Sequence, residues 1–187
     1  VGEYAAVSTT TGANNTAVGK AALYANTTAP HNTAVGYAAL NANTTGQENT
    51  AVGSSVLDAN TTGNYNIALG GGALGSNTTA SNNTALGYTA LLSNTTGSNN
   101  TGVGYDALGQ ITTGSNNTAL GYLSGNTGTN DLTTGNQNTL LGSSTAVSAA
   151  AASNQIVIGY GTTGKGNNTV TIGNGDITTW TPTDDGE

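Results

Sequence analysis

Asn15-Thr16-Ala17-Val18-Gly19 returns at Asn32-Thr33-Ala34-Val35-Gly36 and again at Asn49-Thr50-Ala51-Val52-Gly53. The closing glycine sets a metre. It stands at Gly2, Gly19, Gly36, Gly53, Gly70, Gly87, Gly104 and Gly121, always 17 residues apart, and then at Gly142, Gly159 and Gly173 after steps of 21, 17 and 14. A fixed short period of this kind signals stacked structural units rather than a globular domain.

Working outward from the glycine, each column keeps one character. The residue before it is always aliphatic, from Val1 and Val18 through Leu69 and Leu120 to Ile172. Three and four residues after it come a small-residue column (Ala22, Ala39, Val56, Ala73, Ala90, Ala107) and a leucine column (Leu23, Leu40, Leu57, Leu74, Leu91, Leu108). Tyr37, Tyr88, Tyr105, Tyr122 and Tyr160 directly follow marker glycines. A polar corner, Asn26-Thr27-Thr28, repeats from Asn43, Asn60, Asn77 and Asn94, usually closed by glycine. Thr16–Val18, Ile156–Ile158 and Val170–Ile172 alternate as strands do. The corners carry turn chemistry, because Gly and Asn tolerate positive φ and Thr hydroxyls bond local backbone. No window supports a long helix, and Ala149–Ala152 reads as a loop.

Seventeen residues with two turns make one coil of a parallel β-solenoid. The fold class is therefore all-β, with about eleven coils at about 4.8 Å each, a rod roughly 50 Å long. Residues 1–173 form the repeat domain, with an inserted loop near 126–135 and a drifting period after 142. Residues 174–187 read as a transition to a stem or linker. Stacked asparagines suit amide ladders. Each coil offers about two large aliphatics to a core, worth roughly 1.5–3 kcal/mol apiece, against an ordering cost of roughly 1–2 kcal/mol per residue. The shortfall predicts an oligomer in which neighbouring chains help to bury the Ala and Leu columns. The chain opens in mid-unit at Val1-Gly2, so it is expected to be a piece of a longer fibre.

Composition removes several function classes. Charged residues are 6% of the chain and the net charge is −7, with Lys20 and Lys165 the sole strong cations. A nucleic-acid partner is not expected. The lack of cysteine excludes disulfides and thiolate metal sites, and no cofactor or metal is expected. No run approaches the roughly 18 apolar residues of a membrane span, so membrane insertion by this segment is not expected.

Asn15–Gly19, Asn117-Thr118-Ala119-Leu120-Gly121, Asn154-Gln155-Ile156-Val157-Ile158-Gly159 and Asn168-Thr169-Val170-Thr171-Ile172-Gly173 resemble the head repeats of trimeric autotransporter adhesins, the YadA-like head. The resemblance runs from Val1 to about Gly173. It implies a left-handed parallel β-roll, three chains packed as a homotrimer, an extracellular location and no enzymatic activity. The 17-residue unit is longer than the usual adhesin repeat of about fourteen. It looks more like repeats in tail fibres of phages and large viruses, and the segment from Thr169 to Asp185 with Trp180-Thr181-Pro182 resembles the passage from solenoid to stem in such fibres.

The function expected is a structural fibre segment that presents a host- or surface-binding region, with a glycan or protein as partner. Two places could make contacts. The insertion contains Asn130, Asp131 and Leu132, and insertions in solenoids map to loops that bind. The tyrosine column Tyr37, Tyr88, Tyr105 and Tyr122 could stack on sugar rings or simply shield a seam. The sequons at Asn26, Asn43, Asn60, Asn77 and Asn94 mark N-glycosylation acceptors, but glycans there could not coexist with inward asparagine ladders. The nine acids fall in no single column and none pairs with His31, which leaves a hydrolase without its carboxylate pair. An alternative is an ice-binding solenoid using Thr and Asn columns, through Thr11, Thr28, Thr45, Thr62, Thr79, Thr96 and Thr113. In an extended strand Thr27 and Thr28 would face opposite sides, leaving Asn26 as the same-face partner of Thr28.

Overall fold

The computed structural model describes residues 1–177 and is all-β over that range. Ten short strands form one parallel sheet in strict chain order: β1 (Thr16–Val18), β2 (Thr33–Val35), β3 (Thr50–Val52), β4 (Ile67–Leu69), β5 (Thr84–Leu86), β6 (Thr101–Val103), β7 (Thr118–Leu120), β8 (Thr139–Leu141), β9 (Gln155–Ile158) and β10 (Thr169–Ile172). Thr16 pairs with Thr33, Ala17 with Ala34 and Val18 with Val35, and the same register repeats up the stack. This is a β-solenoid of about nine turns, fewer than the eleven coils expected. Eleven marker glycines suggest eleven coils, but ten strands bound nine turns and Gly2 has no strand before it. Ala149–Ala152 forms bends and a turn, closed by Ala152 N–H donating to the Ala149 carbonyl. Most of the expected stem transition, Trp180 included, lies outside the described residues.

The three-residue strand decides what faces inward. Its middle residue is buried: Ala34, Ala51, Ala68, Ala85 and Ala119, then the larger Leu140 and Val157. Strand alternation then turns the flanking Thr and aliphatic residues outward. Val18, Leu69, Leu120, Leu141 and Ile172 are 42–50% exposed. The aliphatic column expected to feed the core therefore lies on the outer surface. The Ala and Leu columns expected to need neighbouring chains are already fully buried, since Ala39, Leu40, Ala73, Leu74, Ala90 and Leu91 have no accessible surface.

Close stacking forces unusual backbone. The marker glycines from Gly2 to Gly159 have φ between 125° and 147°, a region that L side chains rarely adopt. A Cβ on Gly87 would also collide with the Gly104 carbonyl one turn on. The buried leucines take up the left-handed region as well, with φ of 51–55° from Leu23 to Leu108. Such backbone costs roughly 1–2 kcal/mol per residue, and here a packed side chain holds each one in place.

Two asparagine ladders run inside the stack. In one, Asn49 N–H donates to Asn32 Oδ1 at 2.9 Å and Asn66 N–H to Asn49 Oδ1 at 2.9 Å. It continues through Asn83, Asn100 and Asn117 to Asn138. In the other, Asn60 Nδ2 donates to Asn43 Oδ1 and Asn77 Nδ2 to Asn60 Oδ1, both at 2.8 Å. The ladders meet on shared acceptors: Asn32 and Asn43 both donate to the Gly46 carbonyl. The second ladder stops at Asn94, whose Oδ1 is buried without a donor. The next two positions of that column are the buried Ile111 and Leu132, which have no amide to offer.

Candidate functional site

The outward face of the sheet is a regular surface that runs the length of the strand stack. Every strand shows two side chains there, two residues apart. One column is Thr16, Thr33, Thr50, Ile67, Thr84, Thr101, Thr118 and Thr139, and the other runs from Val18 to Ile172. Rungs about 4.8 Å apart give a strip about 43 Å long between the first strand and the last. A continuous column of part-exposed aliphatics is the kind of surface that marks an association site. Sequence reasoning missed this face. The available signal was phase: Asn32 and Ala34 lie two residues apart and share the inward side, so Val35 must point away.

The tyrosine column borders this face. Tyr37, Tyr88, Tyr105 and Tyr122 are 48–59% exposed. Tyr88 and Tyr105 stack with ring centroids 5.7 Å apart at 17°, and Tyr105 and Tyr122 with centroids 5.3 Å apart at 20°. Their faces are turned on one another and Tyr105 has a tyrosine on each side. In these three, the faces between neighbouring rings are covered, whereas Tyr37 has no ring stacked on it and is 58% exposed. Lower in the same column, Lys20 and Glu3 form an exposed ion pair at 2.9 Å.

The insertion is tied to its own chain. Leu132 N–H donates to the Gly125 carbonyl and closes the loop. Asp131 Oδ1 accepts from the N–H groups of Thr127 and Gly128, both at 2.7 Å. Leu132 is fully buried, so it is no surface contact: it continues the column of Ile111 and fills the interior. Asn130 is exposed at φ 57°, and Asp131 is half-buried. Asn130 and, in part, Asp131 thus remain at the surface, while Leu132 does not.

Among the described residues no group of three or more His, Cys, Asp or Glu stands close enough to hold a metal. Burial pushes the Asp58 carboxyl up, against backbone hydrogen bonds that lower it. Burial also raises Asp106, aided by the charge of Asp131 and opposed by hydrogen bonds from Thr89 and Asn126. The Asn126 bond, Nδ2 to Oδ2, is 2.8 Å long. Asp58 and Asp106 lie in different columns of different coils.

The threonine corner differs from the expected geometry. Thr27 and Thr28 both lie on the outside, because the buried residues of the corner are Asn26 and Ala29. Asn26 belongs to the inner ladder, donating to the Ala29 carbonyl, and is no surface partner of Thr28. The Thr44 hydroxyl donates to the Thr61 carbonyl at 3.0 Å, and Thr61 to Thr78 at 3.0 Å. The first threonine column is thus spent on the backbone of the next coil. Among the described residues no helix is long and apolar enough to cross a membrane. The chain matches no family model, no curated protein and no solved structure.

Proposed function

We propose that the chain is a structural, non-enzymatic segment of a homotrimeric extracellular fibre, of the viral tail-fibre or bacterial surface-adhesin kind, which projects and presents a host- or surface-binding region. The observation that carries this reading is the outward column Val18, Val35, Val52, Leu69, Leu86, Val103, Leu120 and Leu141, part-exposed along the whole rod. A strip about 43 Å by 10 Å offers on the order of 430 Å² per chain. Packing it against neighbouring copies of the chain would remove that apolar area from water. The likeness of the repeats to left-handed adhesin and tail-fibre β-rolls points to the same arrangement. Three identical faces then present each weak surface contact, to glycan or protein, in triplicate.

The test is a pair of charge substitutions on the face, Leu69→Lys with Leu120→Lys, followed by light scattering and circular dichroism. Both residues point away from the core, so the reading expects a folded chain that no longer associates. A variant that keeps the mass of the unmodified protein overturns it.

A second reading rests on the same face. Thr33, Thr50, Thr84, Thr101 and Thr118, each two residues before an aliphatic, repeat at one position of the strand, interrupted by Ile67, and such a column could order water as ice does. The two uses exclude each other, since a face buried between chains cannot meet ice. Thermal hysteresis from a monomeric chain would favour this reading, and hysteresis absent at micromolar protein removes it.

A further inference from the structure

The repeat produces ten Asn-x-Thr sequons, and the fold sorts them into two sets of five. Asn26, Asn43, Asn60, Asn77 and Asn94 are fully buried. Their amides are committed to the inner ladder and to corner carbonyls, as when Asn77 Nδ2 donates to both Asn60 Oδ1 and the Ala80 carbonyl. Asn14, Asn82, Asn99, Asn116 and Asn167 are exposed. The first four of these occupy one column, five residues before a marker glycine, with φ of 58–61°. That places each on a turn just before a strand, its side chain directed to solvent. The hydroxyl residues completing these sequons, Thr16, Thr84, Thr101, Thr118 and Thr169, are exposed or half-exposed.

We propose that Asn14, Asn82, Asn99, Asn116 and Asn167 are the N-linked glycan acceptors of this chain and that the five corner asparagines are closed to modification. An N-glycan joins the side-chain nitrogen to the sugar and leaves one amide hydrogen. On the exposed column it would extend into solvent. On a ladder asparagine it would have to enter a space already filled by the rungs above and below, and the coil could not close. Asn82, Asn99 and Asn116 sit on successive rungs about 4.8 Å apart, so bulky glycans on neighbouring rungs compete and Asn99, between two others, carries the least. This inference concerns a different column from the sheet face; it rests on the extracellular part of the proposed reading, reached through a glycosylating secretory pathway, and not on the trimer.

The experiment is secretion of the chain from a eukaryotic host, isolation of the soluble folded product, enzymatic deglycosylation in heavy-oxygen water, and site mapping by mass spectrometry. Label is expected at Asn82 and Asn116 above Asn99, and none at the five corner asparagines. Thr84→Ala and Thr118→Ala each remove a sequon without touching either ladder, and each should lose one glycan mass. Glycan on Asn43, Asn60 or Asn77 in folded protein, or five exposed sequons all bare in a host that modifies a control protein, would overturn the proposal.

Discussion

At the scale of single residues, the buried asparagines do the work that large apolar side chains do elsewhere. Asn60 gives its amide to Asn43 and to the Gly63 carbonyl, and accepts from Asn77. Asn60→Ala strands those partners in the interior and is expected to cost about 1–3 kcal/mol, read as a shift in the denaturant midpoint at unchanged slope. Asp58 gives a pH signature. Its folded pKa lies above the ordinary 3.8, so the folded chain binds the proton more readily than the unfolded one. Its contribution is fullest below about pH 3.8 and is lost as pH rises through the raised value. Asp58→Asn removes this dependence. The melting temperature of the variant relative to the unmodified chain is expected to rise as pH increases from about 3.8 through the raised value, and a flat difference would contradict the assignment. Burial of the ladder asparagines was legible in the sequence, because a residue repeated at fixed phase with no charge and no partner in its own coil has only its counterparts to bond. The role of Leu132 was not legible. Beside Asn130-Asp131 it reads as loop, and only the closure from Gly125 to Leu132 shows that the insertion ends one residue before it.

At the scale of the element, the strand is three residues long and owes its place to what flanks it. The marker glycine supplies a φ near 125–147° and the room for the next coil to approach. In Gly87→Ala the backbone region and the clash with the Gly104 carbonyl act together, for an expected loss of about 3 kcal/mol or more. Amide exchange should show that loss first between β5 and β6, since a solenoid coil contacts only its neighbours. The period, the strands and their parallel stacking followed directly from the columns of Thr16–Gly19 and its repeats. The phase of the strand did not. A valine beside an alanine invites the larger residue into the core, yet Ala34 and Ala51 take the inward position, and Leu40 and Leu57 supply buried volume in the same coils. The same bias hid the outer face as a surface of interest.

At the scale of the whole molecule, the described rod has a buried interior and an outward apolar strip. The Ala and Leu columns are closed within the single chain and need no neighbour. The outward aliphatic column is the surface that association would cover. In the proposed trimer three chains bury this strip together. Sedimentation equilibrium at micromolar concentration reads the native mass. A trimer gives about 55 kDa, three copies of the 18.2 kDa chain, with no dependence on rotor speed. A folded particle of 18.2 kDa would contradict it and leave the outward face of β1–β10 free in solution.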